Sequence, residues 1–318
     1  MNRRVAIVTG AARGIGAATI AALASDGWSV VAVDRCTPDR RLPYAMATED
    51  DLDEAVAAAE AQARRTDIER GPIADPAAAR VDADRGAHAN PAAGPADALV
   101  DSDRGARADP AEPPGHRTDV VRAVVADATD PEALAAVIEG AEAWGDLEAF
   151  VANAGVIAGG LPAWELPAEQ QRALLEVNLE SVILAGRLVA PSLLGRPRPR
   201  SGRFVAVTSS GATRGMSGLA AYSAAKAGVE GFVRGLAADL HGSGVTANAV
   251  APGSTDTPLL TESARLFELP SPRDFAPRQP LERLLAPQEV AATIAFLLGP
   301  GGSAITGATV PVDGGLTL

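Results

Sequence analysis

The chain has 318 residues, 47% of them hydrophobic, and a formal net charge of −12. That is enough apolar material for one large core or two small ones, and the wrong charge for gripping a polyanion, so nucleic acid is not expected as a partner. A single cysteine, Cys36, excludes an intrachain disulfide, and three scattered histidines without ligand spacing exclude a zinc site, so no metal is expected.

Arg3–Thr9 is a short β-branched, apolar run closed by Gly10. It is too short for a signal segment or a membrane span, so we expect a cytoplasmic protein with no membrane partner. An Ala-rich helix is predicted over Ile15–Asp26 and a second buried strand over Trp28–Val33, closed by Asp34. Strand, glycine turn, helix and strand form a βαβ unit, which implies a parallel sheet with right-handed crossovers. The alternation resumes with a strand at Val120–Ala126, a helix from Pro131 to Ala143 and a strand at Leu147–Ala152. It continues with a largely helical stretch at Glu169–Leu194, a strand at Arg203–Thr208, a helix at Ala221–His241 and a strand at Val245–Val250. A helix at Pro287–Leu298 and a last strand at Ala308–Val312 complete it. The expected fold is therefore α/β: a single Rossmann-type domain spanning residues 1–318, a doubly wound parallel sheet of about seven strands.

Residues 67–118 interrupt this pattern. Ala, Asp, Arg, Pro and Gly dominate there, and Asp82–Ala92 recurs in near copy as Asp101–Ala111. With so little to bury, the segment cannot offset its ordering entropy, and we expect a disordered, low-complexity insertion.

Thr9-Gly10-Ala11-Ala12-Arg13-Gly14-Ile15-Gly16 follows a strand and opens a helix. Bare backbone and a helix N-terminus at that point suit a pyrophosphate. Asp34, at the end of the second strand, is placed to accept hydrogen bonds from adenosine ribose hydroxyls and to repel a 2′-phosphate, which favours NAD over NADP. Arg13 and Arg35 pull the other way, because a nearby guanidinium can accommodate a 2′-phosphate. Asp127, ending the third strand and followed by Ala128, is either an adenine neighbour or a helix-start carboxylate. Tyr222 and Lys226, four residues apart, share one face of a predicted helix, and a cation near a phenol lowers its pKa into a range useful for acid–base work. Lys226 is the only lysine among 28 basic residues.

These motifs, with Asn153-Ala154-Gly155, Asn178, Ser209, Pro252-Gly253, Thr306-Gly307 and Val312-Asp313-Gly314-Gly315, resemble the short-chain dehydrogenase/reductase family along nearly the whole chain outside the insertion. The resemblance implies an oxidoreductase that interconverts an alcohol and its carbonyl by hydride transfer with a nicotinamide cofactor. It makes Tyr222 the general acid/base, Lys226 the holder of the nicotinamide ribose, Ser209 a hydrogen-bond donor to the substrate oxygen and Asn178 the anchor of a relay water; Ser210 is the rival for the Ser209 role. Gly10, Arg13, Gly14, Ile15, Gly16, Asp34, Arg35, Asp127, Ala128, Asn153, Ala154, Gly155, Tyr222, Lys226, Pro252, Gly253, Thr255 and Thr257 become the cofactor set, Thr257 holding the carboxamide. Val33-Asp34-Arg35-Cys36 and Pro43–Leu52, with Ala154–Gly160 and Pro252–Thr255, are similar to the mycofactocin-coupled members of the family. That narrower likeness implies tightly held NAD reoxidised by mycofactocin; the alternative is a 3-oxoacyl-type ketoreductase with exchangeable NAD(P)H, and more remotely a non-catalytic nucleotide-binding regulator. The family implies a homotetramer, and the apolar, Pro-rich stretch Asp256–Leu285, with Leu259, Leu260, Leu266, Phe267 and Phe275, is expected to line the pocket of a hydrophobic small-molecule substrate.

Overall fold

The computed structural model describes residues 3–70 and 119–318. Two compact units are distinguished, Met1–Arg65 with Asp119–Leu318, and Thr66–Thr118; the sheet and the cavity lie in the first. The expected insertion falls almost wholly on residues outside the described part, as does its internal duplication.

Seven parallel strands form one sheet: β1 (Arg4–Thr9), β2 (Ser29–Asp34), β3 (Val121–Val125), β4 (Asp146–Ala152), β5 (Arg203–Val207), β6 (Thr246–Pro252) and β7 (Thr309–Val312). Their order across the sheet is β3-β2-β1-β4-β5-β6-β7, and every neighbouring pair runs parallel. The order reverses between β1 and β4, and in a doubly wound sheet the crevice beyond the strand ends at that point is where a ligand binds.

Alternation along the strands sends side chains to both faces. Ala6, Val8, Val30, Ala32, Val205 and Val207 pack against α1 (Gly14–Ser25), α2 (Glu49–Arg70) and α8 (Pro287–Leu298) through Ile20, Leu23, Leu52, Ala59, Val290 and Ile294. Val5, Ile7, Phe150 and Phe204 face α3 (Pro131–Trp144), α5 (Ser181–Gly195) and α6 (Ala220–Asp239) through Leu134, Val137, Val182, Val189, Val229 and Val233. Burial on both faces is why these strands read as nearly continuous apolar runs. Phe150 is fully buried and stacks on Phe204 at 6.0 Å. Phe150→Ala is expected to cost about 3–5 kcal/mol of unfolding free energy, read as a lowered urea midpoint with unchanged m-value; a loss below about 1 kcal/mol would mean the core closes over the gap.

Two departures from the sequence expectation bear on the site. Helix α2 runs to Arg70, so residues 67–70 are helical where disorder is expected. Alanine and long charged side chains are good helix formers, and that outweighs the weak apolar stripe. The stretch from Asp256 to Leu285 also carries structure: α7 (Pro258–Leu266), with Thr257 as its N-cap, and a 3-10 turn at Pro272–Arg278. Between α4 (Ala168–Leu175) and α5 the chain makes one π turn, Glu176–Glu180, with Asn178 in it.

Candidate active site

The turn after β1 is shaped by backbone crowding. Gly10 has φ +65°, and a Cβ there would lie 2.8 Å from Ala154 Cα. A Cβ on Gly16 would fall 1.9 Å from the Gly10 carbonyl oxygen, so α1 meets the turn at a distance only glycine permits. Asn153 ties the turn down, its Nδ2 donating to the carbonyls of Thr9 and Gly10 at 3.0 Å each. Arg13 at the N-cap of α1 makes no side-chain cap, and no acidic residue stands in the first turn. The helix thus presents its N-terminal N–H groups and the positive end of its dipole to the crevice, as an anionic pyrophosphate requires.

One cavity of about 300 Å³ reaches from Asp34, Arg35, Asp127 and Ala128 at one end to Ser209, Tyr222, Lys226, Leu259, Leu260, Phe267 and Phe275 at the other. Between them it is lined by Gly10, Arg13, Gly14, Ile15, Asn153, Ala154, Gly155, Pro252, Gly253, Thr255 and Thr257. Two of the expected site residues stand one layer back. Gly16 is buried in the packing of α1 on the turn. Asn178 is fully buried, its amide bonded to the backbone of Val156 in both directions, Oδ1 accepting from the N–H at 3.0 Å and Nδ2 donating to the carbonyl at 2.9 Å. Leu266 packs in the apolar cluster behind the cavity rather than on its wall. Thr257 is engaged as a cap, its hydroxyl accepting from Leu260 N–H and donating to the Thr255 carbonyl, each at 3.3 Å.

Tyr222 and Lys226 lie on the first half of α6, both nearly completely buried. Burial raises the Tyr222 pKa, and a hydrogen bond with Ser209 works against that rise. Of the two serines, Ser209 is the one that opposes the rise of the phenol; its Oγ accepts from Gly211 N–H at 3.1 Å. Burial pushes the Lys226 ammonium down to about 8, and Nζ donates to the Val207 carbonyl at 3.0 Å. A Cβ on Gly155 would come within 3.0 Å of Asn178 Oδ1 and 3.4 Å of Lys226 Nζ, so Gly155 is what lets these two groups approach from opposite helices. The lowering of the phenol by Lys226 expected from the sequence is not seen, since burial, opposed by Ser209, sets the Tyr222 shift; a buried phenol with a serine hydroxyl partner, lining the same cavity as Lys226, can exchange a proton with an oxygen seated there.

The segment from Cys36 to Thr48 forms a strap along this cavity, contributing Cys36, Thr37, Tyr44, Ala45, Met46 and Ala47 to its lining. Ion pairs hold it: Arg35 lies 3.4 Å from Asp127 and 3.5 Å from Asp39, while Arg41 lies 2.7 Å from Asp39 and 2.6 Å from Glu176, at the start of the π turn. The Tyr44 hydroxyl accepts from Ile157 N–H at 3.0 Å, and burial pushes its pKa up to about 12. Tyr44, Val156 and Ile157 stand in stretches that carry the family likeness but had no role assigned from the sequence, and Met216 and Leu219 carry no sequence signal.

The Asp39 carboxyl is held down at about 2, against 3.8 ordinarily, by the hydrogen bond from Arg41, with burial opposing. A carboxylate whose folded pKa lies below its unfolded one stabilises the fold fully above the unfolded value and loses that contribution as pH falls through the folded one. The stability difference between wild type and Asp39→Asn is accordingly expected to be constant near neutrality and to vanish between pH 3.8 and about 2. Urea unfolding at a series of pH values checks this, and a difference that persists at pH 2 would detach Asp39 from the strap's stability.

Residues 4–71 match the family described as short chain dehydrogenase, and residues 83–317 the one described as enoyl-(acyl carrier protein) reductase. The chain belongs to the short-chain dehydrogenase/reductase family. It is an oxidoreductase of that family, acting on CH–OH donors or the corresponding carbonyls. It is 39% identical over 206 residues to cis-4-hydroxycyclohexanecarboxylate dehydrogenase of Sinomonas cyclohexanicum, covering 64% of this chain and 78% of that one. It is 29% identical to an uncharacterized NAD-dependent oxidoreductase of Mycobacterium tuberculosis, over 99% of this chain and 96% of the other. The structure is similar to that of carveol dehydrogenase from Mycobacterium avium in complex with NAD, with a TM-score of 0.76, 25% identity and 99% of each chain covered. Among the described residues no helix is long and apolar enough to cross a membrane, and no group of three or more His, Cys, Asp or Glu could hold a metal ion.

Proposed function

We propose that the protein is an NAD-dependent dehydrogenase of hydrophobic secondary alcohols whose NAD stays bound beneath the strap and is reoxidised in place by mycofactocin. The observation that carries this reading is the strap itself, ion-paired through Asp39, Arg41 and Glu176 and hydrogen-bonded through Tyr44 along the same cavity that holds Tyr222. A nucleotide seated there leaves only when those contacts break, which favours retention over exchange.

The residues fit the cofactor. The glycine-lined turn and the uncapped start of α1 would receive the pyrophosphate, Asp34 and Asp127 the adenosine end, and Lys226 the nicotinamide ribose. When bound, the nicotinamide supplies or accepts the hydride. Tyr222 takes the proton from the alcohol oxygen or returns it to the carbonyl oxygen, Ser209 hydrogen-bonds that same oxygen, and the Lys226 ammonium stabilises the phenolate form of Tyr222. The two carboxylate-bearing strand ends favour NAD over a nucleotide with a 2′-phosphate. Leu259, Leu260, Phe267, Phe275, Met216 and Leu219 make the substrate end apolar, which suits a cyclic or terpenoid alcohol. The alcohol-oxidising names of the cyclohexanecarboxylate and carveol dehydrogenases support the same class. Asn178 fits a positioning role: its side chain fixes Val156, and carbonyls in a π turn lose their α-helical partners, which frees one for a relay water. In the cell we take the enzyme to be a cytoplasmic homotetramer, as its family implies.

The second reading is a ketoreductase with exchangeable nucleotide, favoured by 34% identity over 199 residues to the 3-oxoacyl-[acyl-carrier-protein] reductase of Vibrio cholerae. That match covers 61% of this chain, against 99% for the mycobacterial NAD-dependent relative. Denaturing the purified protein and quantifying released nucleotide by mass spectrometry decides between them. Stoichiometric NAD, with turnover supported by an artificial electron acceptor but not by added NAD, is the expected result. Protein that arrives nucleotide-free and turns over with added NAD(P)H overturns the retained-cofactor reading in favour of the ketoreductase.

A further inference from the structure

We propose that Asp39 is a nucleotide-selectivity residue: its carboxylate keeps the Arg35 guanidinium engaged in the strap and so denies it to a 2′-phosphate beside Asp34. The proposal rests on the reading of this cavity as an NAD site and deepens it.

Arg35 directly follows Asp34, and both line the adenosine end of the cavity. A guanidinium at that position is the group that can convert an NAD site into one that takes the 2′-phosphate, through paired charge-assisted hydrogen bonds. On sequence alone it competes with Asp34 for control of selectivity. In the fold it is already held: Nη1 lies 3.4 Å from Asp127 Oδ2 and 3.5 Å from Asp39 Oδ2.

Asp39 cannot readily let go. It is buried, with only 5% of its side chain exposed, and Arg41 grips it through Nε at 2.9 Å, Nη2 at 2.7 Å and the backbone N–H at 3.0 Å. Arg41 is fixed in turn by Glu176, 135 residues along the chain. The result is a row of alternating charges, Asp127, Arg35, Asp39, Arg41 and Glu176, with Asp34 close by. Three carboxylates against two guanidiniums leave that row net negative before Asp34 is counted. A phosphate dianion entering there must displace two carboxylates from Arg35 and then face them. Arg13, the other arginine at this end, donates to the Ala45 carbonyl at 3.4 Å and so serves the strap as well.

The test reads the ratio of bound NADP to bound NAD in protein that has been unfolded to release its resident nucleotide and refolded with an equimolar mixture of the two, the bound nucleotides then being released by denaturation and quantified by mass spectrometry. Wild type is expected to carry NAD. Asp39→Asn should raise the NADP-to-NAD ratio by about tenfold or more, since a freed guanidinium gains a phosphate partner and one repelling charge is gone. Adding Arg35→Ala to Asp39→Asn should return the ratio to that of wild type. If Asp39→Asn does not fold, Asp39→Ser removes the same carboxylate with a smaller neutral side chain and should move the ratio in the same direction. An unchanged ratio in a folded Asp39→Asn or Asp39→Ser protein, or a gain that survives loss of Arg35, overturns the proposal while leaving the NAD reading intact. A wild type that binds neither nucleotide overturns both.

Discussion

Tyr222→Phe is expected to lower turnover by about 10³-fold or more while the bound nucleotide stays at its wild-type level. The substitution removes one oxygen and leaves the ring, which packs with Val156, Ile157, Leu174 and Leu219, in place. Stability should therefore move by no more than about 1 kcal/mol, the scale of one hydrogen bond. Because burial raises the phenol's pKa, wild-type Tyr222 is protonated near neutrality, ready as an acid for carbonyl reduction and short of phenolate for alcohol oxidation. The oxidation rate should then climb with pH through the neutral and alkaline range, and the residual rate of the Phe variant should be flat across it. Rates with an artificial electron acceptor, taken alongside nucleotide content, separate loss of chemistry from loss of cofactor. A Phe variant retaining more than about a tenth of wild-type turnover would remove Tyr222 from the proton transfer.

The legible and the hidden parts of the molecule divide along physical lines. Strands such as Val5–Val8 and Val30–Val33 are buried on both sides, so composition alone marks them, and the expected boundaries lie within about two residues of the observed ones. The glycine turn and the Tyr222–Lys226 pair are local patterns with fixed spacing, and both line the cavity. The length of α2 was obscured because its alanines and charges give almost no apolar periodicity. Helix α7 was obscured because proline and capping residues break the stretch around it into pieces shorter than a readable window. The strap was recognisable as an extra segment, yet its hold on the site depends on Arg41 meeting Glu176 and Tyr44 meeting Ile157, pairs separated by 135 and 113 residues. No rule of local spacing connects such positions. Asn178 shows the same limit: its place in the motif could be read, while its commitment to the Val156 backbone became visible only with the fold.

Lys226→Arg is expected to lower turnover by about 10²-fold or more even though it preserves the positive charge. The ammonium sits in a space bounded by the Val207 carbonyl at 3.0 Å and by Gly155, whose missing Cβ would stand only 3.4 Å away. A planar guanidinium is larger and carries its donors in a fixed fork, so it must either push into the wall made by Gly155 and Asn178 or withdraw from the phenol. Lys226→Met keeps the volume without the charge and should lose activity too; if charge alone mattered, the arginine variant would keep what the methionine variant loses. Because this is the chain's only lysine, isotope-labelled lysine yields a single side-chain signal whose titration reads its pKa directly. Burial is expected to place that value about 8, well below 10.5. A depressed pKa on a base means the folded state binds fewer protons than the unfolded one between those values, so stability contributed at this position rises with pH across that interval. Wild type should accordingly gain on Lys226→Met in unfolding free energy as pH increases from 8 to 10.5. An arginine variant with wild-type turnover, or a lysine titrating at its ordinary value, would show that the position needs a positive charge and nothing more compact.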